Sequence, residues 1–193
     1  CIRDRSNVDV YVTGSNSKFL SSDILTEFRG RGDEVRVWPL SFAEFMSAYD
    51  GDKVGGFAEY SMYGGLPLVI ARKTEEEKSG YLIDLFENTY KRDVVERNHL
   101  RGDTVLENLT DILASSIGSL TNPKKLADTF CSHGIRTSDK TVSACIGHLK
   151  NAFLISEAKR YDVKGKKYID SPMKYYFTDV GLRNARLNFR QQE

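Results

Sequence analysis

Apolar positions from Thr104 to Gly118 fall at Val105, Leu106, Leu109, Ile112, Leu113 and Ile117, the three-and-four spacing of one buried helix face. The run opens on Thr104-Val105-Leu106-Glu107, a capping-box pattern, and stops at Gly118. Asn122-Pro123 sets a cap and a first-turn proline before a second helix carrying Leu126, Ala127 and Phe130, ended by Gly134. Ser138 caps a third, whose stripe is Val142, Cys145, Ile146, Leu149 and Phe153. Residues 153–161 and 167–169 then read as strands around a polar loop, and Tyr175 to Phe177 as one more. Three helices followed by a hairpin is the order of a winged helix.

The pattern before Thr104 is helical but less regular. Ser41 to Tyr49 has helical spacing, with Phe42, Phe45 and Met46 on one face, and residues 50–56 read as a loop. Phe57 to Met62 is a short helix and Tyr63-Gly64-Gly65-Leu66-Pro67 a turn. Thr74 and three glutamates then start a long helix to about Asn98, with Leu82, Leu85, Phe86, Tyr90, Val94 and Val95 along its core stripe. Its other face carries Lys91, Arg92, Asp93, Glu96 and Arg97, a solvated, ion-paired surface or a place from which Arg97 reads a nucleotide. Further upstream, Val8 to Val12 is a β-branched and aromatic run that meets Thr13-Gly14-Ser15-Asn16-Ser17 and a helix from Lys18 to Phe28. A second strand follows over Glu34 to Trp38. Strand, polar turn and helix N-terminus in that order is where open α/β sheets bind ligands. Two strands cannot bury both faces of a sheet, so the rest of a parallel sheet is expected upstream.

Charge divides the chain. Through Asp103 there are 14 Lys and Arg against 18 Asp and Glu, and from Thr104 onward 14 against 9. The second half is therefore the one that can attract a polyanion. No apolar run approaches the ~18 residues of a membrane span, so no membrane association is expected. Cys1, Cys131 and Cys145 are an odd number without metal-ligand spacing. The latter two are placed on apolar helix faces as reduced thiols of a cytoplasmic protein. His99, His133 and His148 are ordinary surface histidines, and no metal site is predicted.

The stretch VYVTGSNSKFLSSDILTEFRGRGDEVRVWPLSFAEF resembles a large family of predicted prokaryotic AAA+ ATPases that continue into a winged helix and a nuclease-like region. YGGLP (Tyr63 to Pro67), ENTYKRDVVERN (Glu87 to Asn98) and KYYFTDVGLRN (Lys174 to Asn184) extend the likeness over nearly the whole chain. The resemblance implies that Ser15 and Asn16 face the γ-phosphate of ATP, orienting water or holding a phosphate oxygen. It implies that Arg31, of Gly30-Arg31, is the arginine finger, with Arg29 and Arg36 as rivals, and that the full-length protein uses ATP and Mg and forms a homo-oligomer. It also places the nuclease-like region beyond Asn184.

No G-x-x-x-x-G-K-[ST] occurs in the sequence, and Lys164-Gly165-Lys166-Lys167 lacks both the spacing and the setting of a P-loop. The chain is thus expected to be a fragment that holds no cofactor and hydrolyses no ATP by itself. The expected fold class is mainly α with α+β. Residues 1–45 are the end of an α/β ATPase domain, 46–102 a helical linker or lid, and 103–193 a winged-helix domain with the start of a further region. Arg160, Lys164, Lys166 and Lys167 at the hairpin, with Lys159 close by and Lys140 on the third helix, are the candidate contacts to DNA phosphates. The third helix offers no arginine and little suited to base edges, so sequence-specific readout is not expected. The alternative is a non-catalytic module that binds protein or DNA.

Overall fold

A computed structural model of the 193-residue chain describes residues 11, 13, 35–97, 104–159 and 172–189. The chain divides into two compact units, Cys1–Val35 and Arg36–Glu193, and every described helix and strand belongs to the second. The run Val8 to Val12, the helix over 18–28 and the strand over 167–169 lie outside the described residues, apart from Tyr11 in the first of these. Residues 35–38 of the strand expected over Glu34 to Trp38 instead have no regular structure: Val37 and Trp38 are 92% and 57% exposed. A β-branched run becomes a strand only where a neighbour pairs with it.

Helix α1, Phe42–Ser47, starts from a capping box in which Ser41 Oγ accepts from the Glu44 N–H and Glu44 Oε2 accepts from the Ser41 N–H. The predicted loop over 50–56 is shorter than the pattern implied, because helix α2, Lys53–Tyr63, begins inside it. Asp52 Oδ1 accepts from the N–H groups of Val54 and Gly55, both at 2.8 Å, which fixes the first turn in spite of two glycines. Gly56 is buried because α1 lies against it; a Cβ there would run into Met46 and Tyr49. Helix α3, Pro67–Ile70, opens on its proline, and α4, Glu75–Leu85, on a second capping box between Thr74 and Glu77.

The single long helix expected from Thr74 to Asn98 is divided. After α4 comes a π-helical turn, Phe86–Lys91, and then α5, Arg92–Arg97. Leu82 and Val94 are both buried, yet in an unbroken α-helix a separation of twelve positions would put them about 120° apart. The widened turn absorbs one residue and returns Val94 to the face of Leu82 and Phe86.

Helices α6, Thr104–Ser115, α7, Pro123–Ser132, and α8, Asp139–Asn151, follow the predicted stripes, with Leu106, Leu109, Leu113, Leu126, Phe130, Val142, Cys145, Ile146 and Leu149 buried. Asn122 and Ser138 cap α7 and α8 as expected. Four positions differ, the first being Phe153, which lies beyond the end of α8 and is half-buried. Helix α6 begins at Thr104 itself, and the Glu107 carboxylate pairs with Lys91. Ile117 lies beyond the end of α6 and is exposed. Cys131 is exposed while Cys145 is buried, because Cys131 faces away from the Leu126–Phe130 stripe; its Sγ lies 3.6 Å from the Thr137 carbonyl.

Strand β1, Ile155–Ala158, is shorter than predicted because Phe153 takes a positive φ of 56° at the end of α8. It pairs antiparallel with β2, Lys174–Phe177, with Ile155 opposite Phe177 and Ala158 opposite Lys174. On the other edge of β2, Thr121 and Met173 exchange both backbone hydrogen bonds (2.9 and 2.8 Å), and the Gly118 N–H donates to Tyr175. Helix α9, Val180–Arg186, closes the chain onto the core. The described fold is mainly helical with one small antiparallel sheet. None of the described helices is long and apolar enough to cross a membrane.

Candidate functional site

Two of the quoted motifs meet although they lie far apart in sequence. Asp179 caps α9 by accepting from the Leu182 N–H (Oδ1, 3.1 Å), and its other oxygen accepts from the Gly65 N–H at 2.8 Å, across 114 residues. Gly65 in turn accepts from the Leu40 N–H through its carbonyl, and the Tyr60 hydroxyl donates to the Leu40 carbonyl, each at 2.8 Å. One turn along α9, Asn184 Nδ2 donates to the carbonyls of Ser61 and Met62. Glycine is required here by contact. A Cβ on Gly64 would overlap the Asp179 carboxylate, one on Gly65 the Leu40 carbonyl, and one on Gly181 the Tyr63 carbonyl; Gly64 also has φ of 78°. Burial pushes the Asp179 carboxyl above the ordinary aspartate value, against the backbone N–H groups of Gly65, Leu182 and Gly181. Both of its oxygens are taken up by backbone, so this is a structural clasp.

A second polar cluster joins the π-helical turn to α6 and α9. Lys91 lies 3.0 Å from Glu87 and 2.5 Å from Glu107, and Arg186 lies 3.2 Å from Glu87 and 2.6 Å from Asp111. The hydrogen bond to Glu107 leads the effects that raise the Lys91 ammonium above its usual value. Phe86, Val94, Leu149, Leu154 and these two cations line a cavity of about 10 Å³, room for about one water and not for a nucleotide. Among the described residues, no group of three or more His, Cys, Asp or Glu is arranged to hold a metal ion.

The residues singled out for ATP and for DNA mostly fall elsewhere. Ser15, Asn16 and Arg31 lie outside the described residues, as do Arg160, Lys164, Lys166 and Lys167. Arg97 ends α5, and its side chain is likewise outside them. Lys140 is exposed in the first turn of α8. The two clusters above were not marked out by sequence reasoning. The Asp179 clasp gave one local signal, an aspartate two residues before a glycine at a helix start, but its partner in the Tyr63 to Pro67 turn gave none.

The order of elements from α2 to α9 is matched along its length by a family model described as "Domain of unknown function (DUF8612)", over residues 55–193. The chain belongs to the DUF8612 family. The DUF8612 region thus begins within α2 and contains both clusters apart from Leu40. A second family model, described as "AAA domain", matches residues 1–46, which relates the N-terminal piece to AAA-type ATPases. An uncharacterized protein of Haemophilus influenzae is 35% identical over 187 residues, covering 94% of this chain and 46% of that protein. One from Methanocaldococcus jannaschii is 26% identical over 200 residues, covering 97% of this chain and 45% of its own length. The chain therefore spans about half the length of the curated relatives it matches. No solved structure matches it.

Proposed function

We propose that the longer protein to which this chain contributes is an ATPase of AAA type, and that residues 104–177 form a winged-helix arm that meets nucleic acid through its phosphates. The observation that carries the reading is the AAA-domain match over residues 1–46, with DUF8612 directly behind it. The arm is supported by the order α6, α7, α8, β1, β2, with Thr121 bridged to Met173 on the free edge of β2. A bridged segment between the first two helices, beside a hairpin, fits the place where a winged helix carries its first short strand.

In this reading ATP and Mg belong to the assembled protein. Ser15 and Asn16 orient the attacking water or hold a phosphate oxygen, and Arg31 supplies a planar cation to a nucleotide held by a neighbouring subunit. Arg97 responds to nucleotide state from the helical segment. The protein works as a homo-oligomer in the cytoplasm. The test is made on the full-length protein. Arg31→Ala should leave ATP affinity nearly unchanged while turnover falls by about 10³ to 10⁵, and Arg31→Lys should not restore it. Normal turnover in Arg31→Ala together with loss in Arg29→Ala or Arg36→Ala would move the finger. No ATP binding or hydrolysis by the unaltered full-length protein would end the ATPase reading.

A further inference from the structure

The antiparallel pairings bring three separate segments to one end of the sheet. Strand β1 finishes there at Ala158, followed by Lys159; β2 starts there at Lys174, opposite Ala158; and the segment bridged at Thr121 arrives there just before α7. Lys124 and Lys125 in the first turn of α7, Lys159 and Lys174 are all exposed. The carboxylate closest in register, Glu157, is engaged by Lys150 at 2.7 Å, with Lys159 only at 4.0 Å. Among the described residues, the other acidic groups closest to Lys124 and Lys125 in sequence are Asp128, one turn further along α7, and Asp139 at the start of α8; Asp162 and Asp170, close in sequence to Lys159 and Lys174, lie outside the described residues.

We infer that Lys124, Lys125, Lys159 and Lys174 form a phosphate-binding rim for duplex nucleic acid at this end of the sheet, a surface that does not depend on Lys164, Lys166 or Lys167. The inference rests on the nucleic-acid reading above and names where that contact is made. Three adjacent segments about 4.8 Å apart span about 10 Å. Over that length a duplex presents roughly six charges, one per about 1.7 Å of axis. Lysine ammonium groups meet phosphate as point charges and carry no base readout, so binding is indifferent to sequence.

The test is titration of a fluorescently labelled DNA duplex with the 193-residue chain over a range of salt concentrations. Replacing Lys124, Lys125 and Lys174 together by Ala should weaken binding at low salt and reduce the slope of log affinity against log salt by up to about 2.7. The Gln triple variant should behave alike, and circular dichroism checks that each stays folded. Replacing the exposed Lys53 and Lys73, which remove charge elsewhere, should change little. If the unaltered chain binds the duplex and the triple variants keep its affinity and slope, the rim is refuted while the nucleic-acid reading stands. If the unaltered chain binds no duplex at low salt, that reading falls and the rim with it. Lysine-dependent capture by phosphatidylserine vesicles without duplex binding would assign the surface to a membrane and overturn the inference.

Discussion

The Asp179 carboxylate sits where burial disfavours its charge, held by backbone N–H groups from two distant segments. Asn at this position keeps the shape but offers one oxygen where two are used, so its amide would face the N–H of Gly65 or Leu182. Leaving one buried donor unpaired costs about 1–3 kcal/mol. We therefore expect Asp179→Asn to unfold at lower urea concentration than the unaltered chain. The pH dependence follows from the raised value: the folded state holds this proton more tightly than the unfolded one. The contribution is thus most favourable below the ordinary aspartate range and declines as pH rises towards the raised folded value. Glu44 and Glu77, lowered chiefly by backbone hydrogen bonds, act in the opposite sense but are common to both proteins. Subtracting the two urea series across pH should leave a difference with that sign, and a flat difference would count against Asp179 as its source. At this scale the caps Asn122 and Ser138 were legible, each a short polar residue directly before an apolar stripe, whereas Ser41 and Thr74, which also cap their helices, are read only as helix starts. The clasp was not legible, because nothing local in Gly64-Gly65 says which carboxylate its backbone meets.

Between residues and the whole chain, α6, α7 and α8 were legible because their stripes keep the α-helical period. The segment after Thr74 was misread because Leu82, Phe86, Tyr90 and Val94 recur every fourth residue. Each such step overshoots an α-helical turn by about 40°, and the eye accepts the drift. The π-helical turn absorbs it. Deleting Asn88, an exposed residue within that turn, should convert the segment to continuous α-helix and leave Leu82 and Val94 about 20° apart, still on one face. Glu87 and Lys91 would become neighbours three apart, a spacing that still permits an ion pair. Deleting Ser143 from α8, where no widened turn takes up the change, should swing Val142 about 100° away from Cys145 and Ile146. Thermal melts should then show a small loss for the first deletion and failure to fold cooperatively for the second. Equal losses would refute the phase argument.

Across the molecule, the buried apolar residues from Tyr63 to Ala185 make one cluster, drawn from helices on both sides of Thr104. The acidic and basic halves visible in composition do not correspond to separate cores. Periodicity assigns residues to faces, but it does not reveal that α9 packs against α2 and α4 as well as α6. Residues 104–193 alone would lack Gly65 and the carbonyls of Ser61 and Met62, leaving Asp179 and Asn184 without those partners. We expect residues 36–193 to melt in one transition and residues 104–193 to show no comparable one, measured by circular dichroism and amide exchange. A sharp transition in the shorter piece would show that α9 can do without α2.

The clasp also sets an order of events during synthesis. Gly65 leaves the ribosome 114 residues before Asp179, an interval of roughly 6 to 23 s at about 5–20 residues per second. Throughout that wait Tyr63 and Leu82, buried in the finished protein, lack α9 against the helices that carry them. The nascent chain therefore presents an apolar face to chaperones and proteases until α9 emerges, and a product terminated before Asp179 keeps that face uncovered.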